Sequence, residues 1–171
     1  MYLFGKRLSI IGERAKRKGR RFLPTCKHRG LHAASNMDRQ EAIEFLLDHY
    51  ENPRNKGSIE HPNVSSSGGN PGCADLITMQ ARFGEDGKLE AISWDGQGCS
   101  ISCAAASYVT SIVEGLTPEE IEAMSFEDLI EQLGKELVMT RPTCATLALG
   151  TLKKGVHEYH MHKLAENTHY H

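Results

Sequence analysis

The stretch Asp75–Gly96, "DLITMQARFGEDGKLEAISWDG", decides the fold. Ile77, Met79, Ala81 and Phe83 recur at every second position, the period of a strand with one buried face. "GEDGK" (Gly84–Lys88) has the composition of a hairpin turn, so the reading is two antiparallel strands over 75–83 and 88–96. The period then changes. From Cys99 to Gly115, "CSISCAAASYVTSIVEG", small and apolar residues follow helical spacing, and the closing glycine suits a helix C-terminus. On the other side, "ENPRNKGSIEHPNVSSSGGNPG" (51–72) reads as loop, with a short strand near Val64. Before it, "MDRQEAIEFLLDHY" (37–50) predicts a helix, with Asp38 and Glu41 at capping-box spacing and Ile43, Leu46, Leu47 and Tyr50 on one face. Downstream, Thr117–Glu120 and Ser125–Asp128 each start a short helix. "RPTCATLALGTLKKG" (141–155) predicts a further helix capped by Thr143, with Gly150 marking close packing of another element. The tail continues as helix and then frays. Strands followed by helices, without a repeat, define an α+β fold: a small antiparallel sheet packed with helices.

Composition bounds the rest. The 171 residues are 39% hydrophobic and 25% charged, the proportions of one globular domain. No run approaches the roughly 20 apolar residues that span a bilayer, and no secretory signal is recognisable, so a cytoplasmic protein with no membrane role is expected. Of the 20 Lys/Arg and 22 Asp/Glu, ten bases and one acid (Glu13) lie in residues 1–36, leaving ten bases against 21 acids afterwards. Residues 1–36 therefore read as a basic leader: a disordered arm, a segment upstream of a true start at Met37, or an organellar import sequence. Its basic residues lack interleaved aromatics and a recognition motif, so no nucleic-acid partner is expected. The folded domain is expected over 37–156. The tail, "HEYHMHKLAENTHYH" (157–171), holds five of the nine histidines and is either solvated or metal-binding. His49 and His61 read as surface or loop residues.

The chemistry lies in the cysteines: Cys26, Cys73, Cys99, Cys103 and Cys144. None forms CxxC, which removes the zinc-knuckle and thioredoxin-type patterns. Cys73 follows "NPG", Cys99 follows "GQG" and Cys144 follows "RPT", so three thiols sit at turns or helix starts, where N–H groups and the helix dipole favour a thiolate. Cys73 and Asp75, one residue apart, would point to the same side of an extended segment. Brought together with Cys99 and Cys144 they make three thiolates and one carboxylate. That set suits tetrahedral Zn²⁺, or three positions of an iron–sulfur cluster with a weaker oxygen as the fourth. A permanent cluster favours four cysteines; an oxygen donor points to something that must be released. Cys103 reads as a small packed residue, or as an auxiliary thiol on the Cys99 face. Cys26 belongs to the leader. Arg141, three residues before Cys144, either stabilises the thiolates or Asp75, or is a surface arginine.

With these residues taken as a set, the chain from about Met37 to Val156 resembles the IscU and NifU N-terminal family of iron–sulfur cluster assembly proteins, and within it the SufU branch. The matching pieces are "LLDHYENPRNKG", "NPGCAD", "DGQGCSIS" and "RPTCATLALGTLKKGV". The resemblance implies a SufE/IscU-like fold and places Cys73, Asp75, Cys99 and Cys144 on the family's metal or cluster ligands. Thr143 stands where IscU proteins carry histidine, and Arg141 matches the SufU pattern. The insertion usual in SufU is missing between Cys99 and Cys144, and Ala74 replaces the usual glycine; if that glycine has positive φ, alanine strains the loop by about 1 kcal/mol.

Two functions follow from the resemblance. In the SufU-like one, favoured slightly, Zn²⁺ keeps the thiols ordered and Cys73 takes persulfide sulfur from a PLP-dependent cysteine desulfurase with help from Arg141, passing it to a downstream scaffold or acceptor apoprotein; the protein is then a zinc-dependent sulfurtransferase. In the IscU-like one the same residues hold a labile [2Fe–2S] cluster or iron on a non-enzymatic scaffold. From other classes, a hydrolytic zinc enzyme lacks any HExxH or HxE…PCxxC pattern, and a binding module with a structural metal is the remaining alternative.

Overall fold

In a computed structural model of the chain, residues 37–168 are described; the basic leader, with Cys26, and residues 169–171 lie outside the described residues. Asp38 caps helix α1 (Arg39–Glu51) through a full capping box with Glu41. Three antiparallel strands follow in the order β1 (Val64–Asn70), β2 (Asp75–Phe83), β3 (Leu89–Gln97). The β2–β3 hairpin closes through Gly84 and Lys88 as expected. Helix α2 (Ser100–Ile112) leads to α3 (Pro118–Ala123), α4 (Phe126–Gln132), α5 (Lys135–Val138) and the long α6 (Pro142–Thr168). The architecture is α+β, as expected.

The period-two pattern of β2 sets the core. Ile77, Met79, Ala81 and Phe83 are buried along one face, beside Trp94 and Ile92 of β3. Ala105, Val109 and Val113 of the α2 segment and Ala148, Leu149, Leu152 and Val156 of α6 complete that cluster. Helix α1 packs on α2 from the far side.

Local expectations differ in four places. The buried face of α1 is Ala42 and His49, flanked by Phe45 and Leu46, while Leu47 and Tyr50 are about half exposed. His49 is thus no surface residue: its Nδ1 lies 2.8 Å from Ser107 Oγ of α2, and Phe45 and Tyr108 enclose its ring. The loop before Cys73 contains a full seven-residue strand, because "VSSSGGN" pairs with β2 from Val64↔Ala81 to Asn70↔Asp75. In α6, Pro142 is the first residue and Thr143 the second, so Thr143 is no cap; the Arg141 carbonyl accepts from the N–H groups of Cys144 and Ala145. Finally, the close approach falls at Gly155, where a Cβ would lie 2.8 Å from Val64 Cγ1 and Ser66 Cβ, and not at Gly150, where the nearest such atom is 4.0 Å away. The helix runs on past Val156 to Thr168. No described helix is long and apolar enough to cross a membrane.

Candidate metal and sulfur centre

Three segments distant in sequence deliver the four candidate donors. Cys73 sits in the turn between β1 and β2, its N–H bonded to the Asn70 carbonyl at 3.1 Å. Asp75 opens β2 and is buried at 3% exposure. Cys99 occupies the N-cap of α2. Cys144 is the third residue of α6, 1% exposed. The expected extended geometry between Cys73 and Asp75 does not occur. The chain turns through Ala74 in the left-handed region (φ +54°), and this turn carries Cys73 toward the carboxylate. The conditional cost attached to replacing glycine there thus applies.

Three of the four donors converge. Cys144 Sγ lies 3.2 Å from Cys73 Sγ, both thiols free. Donor atoms of Cys73, Asp75 and Cys144 all fall within 4.8 Å of one another. Cys99 stands beside that group and outside it: its N–H donates to Asp75 Oδ1 at 2.8 Å and its Sγ lies 3.9 Å from Oδ2. In a tetrahedral site with Zn–S bonds of about 2.3 Å, neighbouring sulfurs sit roughly 3.8 Å apart, so these separations fit one ion or a small cluster after minor adjustment. Three soft donors and one hard one also fit by type.

Electrostatics divide the thiols. Burial raises the Cys99 thiol, but hydrogen bonds from the Ser102 N–H and hydroxyl, the Cys144 thiol and the Ile101 N–H outweigh it, and the net shift is downward. Cys144 is pushed far up by burial, reinforced by its hydrogen bonds to Asp75, Cys73 and Cys99 and by the charge of Cys99. In the metal-free site the proton is therefore held more tightly on Cys144 than on Cys99, whose thiol sits at a helix N-terminus. Burial also raises Cys103, whose Sγ lies 3.7 Å from the Gly98 carbonyl. Arg141 is exposed at the mouth of α6, without an ion pair to any described residue. Asn70, which sequence reasoning passed over, donates to Cys144 Sγ at 3.3 Å and receives the Gly72 N–H at 3.2 Å, tying turn to sulfur. The only local signal for it was an asparagine before Pro-Gly.

A three-stranded sheet packed with helices, with two thiols and a carboxylate gathered where α6 begins and a third thiol beside them at the start of α2, defines a class of small α+β domains with a donor group suited to a soft metal. The chain belongs to the NifU-like N-terminal domain family, which it matches over residues 41–166. It is 34% identical over 119 residues to the iron-sulfur cluster assembly scaffold protein IscU of Escherichia coli (strain K12), covering 68% of this chain and 91% of that protein. It is 33% identical over 135 residues to the mitochondrial iron sulfur cluster assembly protein 1 of Schizosaccharomyces pombe, covering 76% and 68%. Among solved structures, the fold is similar to that of a putative iron-sulfur cluster assembly scaffold protein for the SUF system from Fervidobacterium islandicum AW-1 (TM-score 0.56, 23% identity, covering 66% and 94%). It is also similar to a NifU-like N-terminal protein from Brucella abortus (TM-score 0.59, 14% identity, covering 69% and 93%).

Proposed function

We propose that this protein is a scaffold for iron–sulfur cluster assembly that also receives the sulfur, with Cys73, Asp75, Cys99 and Cys144 as the holding set. The observation that carries the reading is the convergence of Cys73, Asp75 and Cys144, with Cys99 bonded to the Asp75 carboxylate beside them. Thiolates bind the iron of a cluster tightly; the harder carboxylate binds it more weakly and marks the side from which a cluster leaves. Cys73 is the natural sulfur acceptor, because it lies partly exposed on a turn while Cys144 is buried. Its thiolate attacks the outer sulfur of a persulfide on a PLP-dependent cysteine desulfurase. The S–S bond breaks, the enzyme's cysteine leaves as thiolate and the sulfane sulfur stays on Cys73. A thiol or an electron-transfer protein then supplies the two electrons that release the sulfane sulfur as sulfide and return Cys73 to the thiolate, and the cluster formed with iron passes to acceptor apoproteins. A reducing compartment such as the cytoplasm suits free thiols with this task.

A second reading is favoured by one feature: Thr143 precedes Cys144, and Arg141 stands three residues before it. In this SufU-like reading the four residues hold Zn²⁺, which would keep the thiols deprotonated and ordered. Cys73 still accepts the sulfur, and Arg141 pairs with whichever ligand is released. Anaerobic incubation with a cysteine desulfurase, cysteine, a thiol reductant and ferrous iron, followed by iron, sulfide and zinc analysis, with persulfide read in a parallel sample before reductant is added, separates the readings. Equimolar iron and sulfide that move to an apo-ferredoxin support the scaffold. Tightly held zinc with stoichiometric persulfide and no cluster selects the second. Undiminished sulfur uptake by Cys73→Ala removes that residue from its role in both.

A further inference from the structure

Cys73, Asp75 and Cys144 share one neighbour that is not itself a candidate ligand. Asn70, the last residue of β1, pairs across the sheet with Asp75; its carbonyl accepts the Cys73 N–H at 3.1 Å, and its side-chain amide donates to Cys144 Sγ at 3.3 Å. We propose that Asn70 is a positioning residue of the metal centre: it holds the turn of Cys73 against Cys144 and supplies the N–H bond that stabilises the Cys144 sulfur as a metal-bound thiolate.

The two ends of the side chain act separately. Oδ1 accepts the Gly72 N–H at 3.2 Å and so braces the turn between β1 and β2. That bond also settles which end of the amide faces the sulfur. A backbone N–H needs an oxygen, so the NH₂ group is the end turned to Cys144. Serine could brace the same turn, but its hydroxyl is too short to reach the sulfur as well.

Packing of β1 on α6 brings the amide there. A Cβ on Gly155 would strike Val64 and Ser66, and one on Gly68 would strike Thr151, with Leu147 3.5 Å away. Strand and helix therefore run past each other in opposite directions. Asn70 is the next position after Gly68 on that face of β1, and Cys144 lies one turn before Leu147 on α6, so the line of contacts ends with amide against sulfur.

The chemistry explains why a neutral donor is useful. Among the described residues the Cys144 sulfur otherwise bonds Asp75, Cys73 and Cys99, the candidate ligands themselves, whose lone pairs turn to a metal when one is bound. The Asn70 amide does not compete for the metal. It takes up part of the thiolate charge from outside, as the outer hydrogen-bond partners of metal ligands do, and hydrogen bonds to ligand sulfurs are among the levers on cluster potential.

Anaerobic Co²⁺ titration of the full-length reduced protein tests this role, which rests on the reading of the group as a metal centre. Asn70→Ser keeps an oxygen for the Gly72 N–H and removes the donor to sulfur; Asn70→Ala removes both. Asn70→Ser should bind Co²⁺ about 10–100-fold more weakly. Its thiolate-to-cobalt charge-transfer band should move to lower energy, because a sulfur without its hydrogen bond gives up an electron more readily, while the urea midpoint of the chelator-treated protein stays at the wild-type value. Asn70→Ala should show the same band shift with a lower urea midpoint. Wild-type affinity in Asn70→Ser, or weaker binding with an unshifted band, overturns the role of the amide and leaves the metal centre standing. Co²⁺ bound by the wild type without any thiolate charge transfer overturns the metal-centre reading and the role with it.

Discussion

Ala74→Gly should stabilise the metal-free protein, contrary to the usual direction of that substitution. Ala74 has φ +54°, is exposed, and sits between two candidate ligands. A left-handed conformation costs a non-glycine residue about 1–2 kcal/mol, which glycine does not incur. Against this, glycine gives the unfolded chain extra freedom worth about 0.4–1 kcal/mol. No packing is lost with an exposed methyl, so the balance is a net gain of about 0.5–1 kcal/mol, or roughly 2–4 °C in Tm for a domain of this size. Equilibrium urea unfolding with reductant and chelator is the assay, because bound metal would add its own stabilisation. Ala74→Val is the counterpart: a β-branched residue fits the left-handed region poorly, so it should lose stability. An ordinary Ala→Gly loss of about 0.5–1 kcal/mol would show that the turn is not left-handed in solution and would refute the account of how Cys73 reaches Asp75.

Three further expectations follow from the same coordinates. Gly96 has φ +141°, and a Cβ there would stand 2.0 Å from the Leu76 carbonyl oxygen, so Gly96→Ala should cost about 2–3 kcal/mol in urea unfolding and disturb the β2–β3 register beside Asp75. Gly155→Leu should be still worse, since α6 would be levered from Val64 and Ser66; loss of cooperative melting by circular dichroism is the readout. His49 titrates below its ordinary 6.5 because burial, and then the Arg54 cation, disfavour its charged form, with Asp48 opposing. The unfolded chain therefore binds the proton more readily, and the contribution of neutral His49 to stability is present above about pH 6.5 and lost as pH falls below it. Wild type should thus lose more stability between pH 7.5 and 5.5 than His49→Gln, and equal losses would dismiss His49 as the cause.

What the sequence disclosed depended on how local each decision was. The hairpin was legible because every second residue of 75–83 is apolar and the turn chemistry lies between the strands. The face of α1 was not, since Leu46 and Leu47 are adjacent and equally apolar; packing against α2 decided between them, with Ala42 and His49 as its contacts. β1 was hidden for another reason. "SSSGGN" carries no strand preference of its own, and pairing to β2 imposes the conformation while the small residues admit α6. At the site, donor identities were readable from residue type and resemblance, but the path joining them was not. The left-handed Ala74 and the Asn70–Cys144 bond, spanning 74 residues, arise only from the closed structure. The surface contacts of His157 and His160 with Glu122 and Glu119 of α3 were equally silent, because nothing near either segment names the other.

The amide of Cys99 grips one oxygen of Asp75, while the second faces the thiol of Cys99, the side on which the proposed cargo would sit. When that cargo departs, the carboxylate is not abandoned in an apolar pocket, since its anchor belongs to the protein and remains behind. Unloading therefore carries a smaller electrostatic penalty than it would for an unsupported acid, and the doorway is built into the same residue that supplies the neighbouring sulfur.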